Sequence, residues 1–244
     1  MTRLADSLYL VMDTETTGID PATCRVVEFA WVLTDLKDPL ASGSTLVNPG
    51  CHIPPEASAV HHLVDADVAG APTLDAVLAD LPLQLRGYDV AAFVAHNAKF
   101  DSAFLPSLIQ RPWLCTYRMA RRLLSDFPAF GNQYLRYALG LSVPEAQGLA
   151  AHRALADAFV TAATLRHFLS LVVDREDWPQ EIPDLAANLA APILLPTVGF
   201  GKHKGQAWNT VPRSYCQWML SAGGMTDLDI DTRHTAEFYL KGGR

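Results

Sequence analysis

The chain has 244 residues, 50% of them hydrophobic and 18% charged, enough for one sizeable α/β core and a small appendage. No basic segment followed by an apolar run and a cleavage site opens it, no window approaches the length of a membrane span, and its four cysteines (Cys24, Cys51, Cys115, Cys216) lack metal-like pairing. Secreted, membrane-spanning and disulfide-stapled classes are thereby set aside, and the expected location is the cytoplasm with the thiols reduced. A net charge of −7 argues against holding a polyanion by overall charge, though a cleft can be positive on an acidic protein.

The first predicted element is a strand, Leu8 to Met12, an apolar run of the kind found where both faces are covered. It leads into Asp13-Thr-Glu-Thr-Thr-Gly18. Alternate strand residues point one way, so Asp13 and Glu15 face together. Like charges held side by side are costly unless something strongly positive lies between them, and hard divalent cations are the usual answer. A solvated strand end is the plain alternative for a bare Asp-x-Glu, so the rest of the chain has to decide.

A second strand (26–34), a third (44–47) and a helix with apolar Leu74, Val77, Leu78, Leu81 and Leu85 come next. Another buried strand starts at Val90 and runs into His96-Asn-Ala-Lys-Phe-Asp101. There Asn97 is expected to cap a helix, and Asp101 to lie in its first turns, looking back toward the strand ends. Ala151-His-Arg-Ala-Leu-Ala-Asp157 opens a long helical pattern that runs to Val172. Five residues separate His152 from Asp157, which would put them on different sides of one regular helix. His152 is therefore expected on the entering loop, free to swing, with Asp157 fixed in the opening turns.

A boundary is expected between Asp174 and Thr197, where Pro179, Pro183, Pro192 and Pro196 oppose one continuous helix. From Val198 onward six Lys or Arg stand against four Asp or Glu, unlike the acidic bulk before it. With Trp208, Tyr215 and Trp218, this tail has the cations and aromatics that hold single-stranded nucleic acid. A small packed module with those aromatics as its core is the slightly favoured alternative.

The blocks at Asp13–Gly18, His96–Asp101 and His152–Asp157 resemble the three exonuclease motifs of the DnaQ-like superfamily of 3'→5' exonucleases, in the branch with four acids and a histidine. Trp113-Leu-Cys-Thr-Tyr-Arg-Met-Ala-Arg-Arg-Leu-Leu124 and Phe200-Gly-Lys-His-Lys-Gly-Gln-Ala-Trp208 narrow the likeness to the exodeoxyribonuclease X group of bacteria. The resemblance implies a ribonuclease H-like fold, a central mixed β-sheet flanked by helices, with a small C-terminal appendage. With the boundary read from the prolines, the chain is expected to divide into an exonuclease domain (1–173), a proline-rich connector (174–197) and a small module (198–244). The resemblance also implies that Thr14, Thr16 and Gly18 approach the terminal nucleotide. His61 matches a histidine that family members place over substrate, while His62 stands where they more often have glycine. Asn97 and Phe100 are expected near the substrate, with core packing equally open for Phe100. Ile19 is expected either to stack on the last base or to be an ordinary buried turn residue.

Phosphodiester hydrolysis must bring water onto a phosphorus shielded by anionic oxygens, then support charge on the departing 3' oxygen. Two metals about 3.5 to 4 Å apart serve both needs. Asp13, Glu15, Asp101 and Asp157 are the candidate ligands, and an oxygen-only set favours Mg²⁺ or Mn²⁺ over zinc. His152 is the candidate general base, since imidazole near neutral pH can accept a proton. The expected protein is a metal-dependent 3'→5' exonuclease acting on DNA, mainly single strands or 3' ends, with no membrane partner. RNA as substrate, a polymerase-proofreading role, a homodimer and a catalytically silent nucleic-acid-binding module are the alternatives.

Overall fold

In the computed structural model, which describes residues 2–150, 152–225 and 228–243, the first apolar run becomes the middle strand of a five-stranded sheet. The strands are β1 (Leu8–Thr16), β2 (Val26–Thr34), β3 (Pro39–Leu46), β4 (Val90–Ala95) and β5 (Trp113–Cys115), in the order β3-β2-β1-β4-β5. The first three pair antiparallel, while β4 joins β1, and β5 joins β4, in parallel. This mixed sheet flanked by helices is the ribonuclease H-like arrangement. β3 starts earlier than the sequence implies, because Asp35 accepts from the Lys37 and Asp38 amides and closes a tight turn. β5 has only three residues and gives no periodic signal.

Side-chain alternation along β1 splits the core in two. Tyr9 and Val11 enter a cluster with Val32 and Val94 on one face, whereas Leu10 and Met12 join Phe29, Trp31 and Phe93 on the other. Burial on both faces explains the unbroken apolar runs. The helices are α1 (Pro55–His61), α2 (Asp65–Val68), α3 (Leu74–Gln84), α4 (Ala98–Phe104), α5 (Thr116–Leu123), α6 (Asn132–Ala138), α7 (Ala154–Val172) and α8 (Ile182–Ala190). α3 lays Val77 and Leu81 on the second face, and α7 covers the first with Phe159, Leu165, Phe168 and Leu169. Small alanines let α7 sit close to the sheet, and most of its residues are buried.

One expectation needs correction here. α7, at 19 residues, is apolar enough by length and composition to cross a membrane, so a window of span length does exist. Its burial against the sheet accounts for that composition, as in the core helix of any α/β domain.

The chain divides into two compact units, Met1–Leu189 and Ala190–Arg244. α8 lies within the proline-bearing stretch. Pro183 falls in its first turn, where a missing N–H costs no helical bond, and Ile182, Leu185 and Leu189 are buried in the first core. The second unit holds α9 (Arg213–Leu220) and α10 (Ile230–Leu240) around Leu195, Val198, Trp208, Val211, Cys216, Met219 and Ala236. Asp229 caps α10 by accepting from the Asp231 and Thr232 amides.

Candidate active site

β1 carries Asp13 and Glu15 out of the sheet on the face that α7 covers. Both side chains are half-buried, and among the described residues neither accepts a hydrogen bond. Asp101, in the first turn of α4, is only 3% exposed. Its Oδ1 accepts both from the Thr14 amide (3.1 Å) and from the Thr14 hydroxyl (2.8 Å). Asp157, buried in the first turn of α7, accepts from Gln133 Nε2 at Oδ1 (2.8 Å), and Asn132 Nδ2 donates to its backbone carbonyl (3.0 Å).

Strand pairing sets Glu15 directly opposite Glu28, two acids on one face, an unfavourable pairing unless a cation intervenes. Arg153 supplies it. Its Nε and an Nη donate to the two Glu28 oxygens at 2.9 and 2.8 Å, while the Ala154 amide (3.1 Å) and the Ser44 hydroxyl (3.2 Å) donate to the same carboxylate. Arg153 occupies the N-cap position in extended conformation, which is why α7 begins at Ala154. Ala151, where the sequence places the start of this helical pattern, lies outside the described residues.

Burial first, and like charge second, disfavour ionisation of Asp13 and Glu15. Burial, then the charges of Asp101, Asp157, Glu15 and Glu28, hold Asp13 well above the usual carboxylate range. Burial, followed by Asp157, Glu28 and Asp101, raises Glu15 to about 8 against a smaller downward pull from Arg153. Burial also pushes Asp101 up to about 7, although the Thr14 hydrogen bonds oppose it. An all-oxygen cluster that resists its own ionisation fits hard divalent cations. As the side chains stand, no three of the described Asp, Glu, His or Cys residues form a finished metal cage.

His152 lies on the loop before α7, exposed and left-handed (φ 57°). Asn97 holds the N-cap position of α4 but is also left-handed (φ 67°), which turns its side chain away from the helix amides. The expected side-chain cap is therefore not formed; the Asn97 carbonyl instead accepts the Phe100 amide at 2.8 Å. Thr16 donates to the Gly18 carbonyl (2.7 Å), and a Cβ on Gly18 would come within 2.7 Å of Cys24 Sγ. Ile19 is 86% exposed, which removes the buried-turn alternative. Phe100 is half-buried beside Phe104, with ring centroids 5.0 Å apart. His61 is buried, and its Nδ1 accepts the Leu63 amide (3.1 Å); its Nε2 finds no partner among the described residues. Burial lowers the His61 pKa.

His96 has a structural part that the sequence did not show. Its Nε2 lies 2.8 Å from the Phe130 carbonyl and its Nδ1 2.9 Å from the Thr116 hydroxyl. A carbonyl only accepts, so Nε2 carries the proton of a neutral ring. Burial holds the pKa at about 4 against an ordinary 6.5. Between those values the unfolded chain binds a proton that the folded one refuses, so stability from this group is lost as pH falls from 6.5 toward 4. The loss approaches about 3 kcal/mol. His96→Gln should therefore flatten the acid limb of the stability curve relative to wild type in urea titrations at pH 4 to 7. Superimposable limbs would refute a buried neutral imidazole.

Residues 10–165 match the exonuclease family model RNase_T. Exodeoxyribonuclease 10 of Escherichia coli strain K12 is 30% identical over 234 residues, covering 95% of this chain and 98% of that protein. DNA polymerase III subunit epsilon of Treponema pallidum is 34% identical over 165 residues, covering 62% of this chain and 72% of that protein. Among solved structures, Exonuclease X in complex with 5' overhanging duplex DNA superposes with a TM-score of 0.63 at 31% identity, over 74% of this chain and 99% of that one. The nuclease domain of 3'hExo, a DEDDh family member bound to rAMP, shares the fold with a TM-score of 0.57 at 15% identity, over 67% of this chain and 92% of that one. Because the matched stretch carries β1, α4 and the first turns of α7, the elements that deliver all four carboxylates, and the likeness to exodeoxyribonuclease 10 continues through nearly the whole length, the chain belongs to the RNase T exonuclease family.

Proposed function

We propose that this protein is a metal-dependent 3'→5' exodeoxyribonuclease that releases nucleoside monophosphates from DNA 3' ends, single-stranded or frayed. What supports the reading is that Asp13, Glu15, Asp101 and Asp157 come from three elements and that the charges of Asp101 and Asp157 both disfavour ionisation of Asp13 and Glu15. These four residues would hold two Mg²⁺ or Mn²⁺ ions, which when bound activate a water and stabilise the leaving 3' oxygen. Thr14 fixes the Asp101 carboxylate and Gln133 fixes that of Asp157, so two ligands are oriented before any ion arrives. His152, on its exposed loop, accepts the proton of the attacking water. Ile19, standing in solvent, stacks on the terminal base without reading its identity, while Thr16 and Gly18 hold the turn that carries it.

Two comparisons support DNA over RNA: a relative named exodeoxyribonuclease matches along nearly its full length, and a structural neighbour is bound to 5' overhanging duplex DNA. The likeness to polymerase III subunit epsilon keeps a proofreading role as the second reading. We assign catalysis to residues 1–173, joined by 174–197 to a module of 198–244, in a cytoplasmic enzyme that is monomeric or a homodimer.

Digestion of 5'-labelled oligonucleotides with Mn²⁺ tests the proposal. A ladder that shortens one nucleotide at a time from the 3' end, absent with EDTA and with Asp101→Ala, is expected. Internal fragments appearing at once, or equal rates on matched RNA, would overturn the assignment.

A further inference from the structure

The aromatic residues of the Ala190–Arg244 unit divide into two kinds. Trp208 is 1% exposed, donates from Nε1 to the Thr197 carbonyl (3.0 Å) and stacks on Tyr239. Trp218 is 48% exposed. It shares one face of α9 with Tyr215, three residues earlier, while Cys216 and Met219 on the other face are fully buried. The packed-core reading of the tail thus covers Trp208 and leaves Trp218 unexplained.

A second element meets that face. Thr197 and Ala207 bridge the base of a loop in which the Val198 amide donates to Gln206 (2.9 Å) and the Gly205 amide to Val198 (2.8 Å). Gly201 (φ 65°) and Gly205 (φ 83°) make the turns, and a Cβ on Gly201 would lie 3.0 Å from the Tyr215 hydroxyl. The loop is therefore pressed against α9. Lys202 Nζ stands 5.6 Å from the Tyr215 ring centre, and the His203 ring is 4.4 Å from that of Tyr215. Together with Pro212, Ser214 and Trp218 they line a cavity of about 380 Å³. His203 Nδ1 contacts Gln206 Oε1 (2.8 Å), and its Nε2 is buried with no partner among the described residues.

We propose that this cavity holds a segment of single-stranded DNA, one base against Trp218 and Tyr215 and its phosphate at Lys202, as a second contact distinct from the carboxylate cluster. Charge selects the class of ligand. The chain as a whole carries −7, yet residues 198–244 have six Lys or Arg against four Asp or Glu, and one of those cations, Lys202, stands at the open aromatic face. Bases of a single strand offer flat faces to both rings, whereas a duplex hides them and an acidic peptide supplies charge without rings. The inference takes only the identity of the polymer from the exonuclease reading.

The test compares full-length wild type with Trp218→Ala, Trp218→Phe and Lys202→Ala. Binding of an oligo(dT) of roughly 30 nucleotides is measured in EDTA, so hydrolysis does not enter. Loss of one stacked base should weaken binding about tenfold in Trp218→Ala, with recovery in Trp218→Phe. Lys202→Ala should lower the slope of log K against log salt by about 0.7, the value for one phosphate contact on a single strand. With Mn²⁺, the Trp218→Ala defect should appear in KM for the long oligonucleotide and be absent with the p-nitrophenyl ester of thymidine 5'-phosphate, which has no strand to hold. Unchanged affinity and salt slope in both alanine variants would overturn the inference, as would binding of polyglutamate in preference to oligo(dT). Failure of wild type to hydrolyse DNA would strike the exonuclease reading alone, because the EDTA titration still decides this one.

Discussion

Asp13→Asn is expected to raise the melting temperature of the protein in EDTA and to cut hydrolysis by roughly 10³-fold, the scale on which loss of a transition-state charge stabiliser is felt. Both effects have one cause. Asp13 lies half-buried among Asp101, Asp157, Glu15 and Glu28, all of which disfavour its charge. Removing that charge relieves the group and discards a candidate ligand together, a trade of stability against activity.

The pH dependence has a definite sign. Glu15, raised to about 8, and Asp101, raised to about 7, keep protons in the folded state that the unfolded chain releases near its ordinary carboxylate pKa of about 4. The folded state binds more protons at these groups across that window, so their contribution to metal-free stability is greatest on the acid side, opposite in sign to that of His96, and is lost as pH rises through about 8, by an amount on the order of a few kcal/mol. Mn²⁺ should restore it, more at pH 8 than at pH 5, and Asp13→Asn should blunt both trends. Thermal melts at the two pH values, with and without Mn²⁺, check this. Because His96 acts in the opposite sense in both proteins, a metal-free difference between the two pH values that is the same in wild type and Asp13→Asn would show that the four carboxylates do not form one interacting group.

Arg153→Ala should be strongly destabilising, by about 2 to 3 kcal/mol, because it leaves the Glu28 carboxylate, 2% exposed, with only the Ala154 amide and the Ser44 hydroxyl as donors. For a chain of this size each kcal/mol moves the melting temperature by about 2 to 4 °C. Activity should fall as well, by about 10- to 100-fold, since the Arg153–Glu28 pair ties the loop bearing His152 and the start of the helix bearing Asp157 to β2. Arg153→Lys should recover only part of either loss, as an ammonium cannot make the two-pronged contact. The double variant Arg153→Met with Glu28→Gln separates the roles. It should regain stability, because no charge is left buried, and stay slow; full activity in that variant would mean that the pair does not position the site.

Much of this arrangement is readable from the amino acids alone, and the reason is physical. The apolar runs of β1, β2 and β4 announce strands covered on both faces, and the acids that break their ends are costly enough to need a purpose. Candidate ligands that project from strand ends and first helical turns are placed by local geometry. The supporting contacts are placed by tertiary structure and leave weaker marks. Gln133 reaches Asp157 across 24 residues, and nothing in its surroundings distinguishes it from a surface glutamine. Glu28 did leave a sign, a lone acid in the run Val26-Val-Glu-Phe-Ala-Trp-Val-Leu33, since a carboxylate in a strand buried throughout must find a cation. Asn97 misled because the capping preference of asparagine and its tolerance of left-handed backbone point to different geometries, and here the second prevailed.

The parallel pairing of β1 with β4 joins strands more than seventy residues apart, and α7, which closes over them, is made later still. Such non-local pairing is slow, since chain ends must be brought together before any contact rewards them. A nascent chain on the ribosome holds Asp13 and Glu15 long before Asp157 has been translated, so under the proposed assignment the growing polypeptide would be inert toward nearby nucleic acid. On the proposed assignment, hydrolysis would begin only once α7 has docked and brought Asp157 to the other three acids.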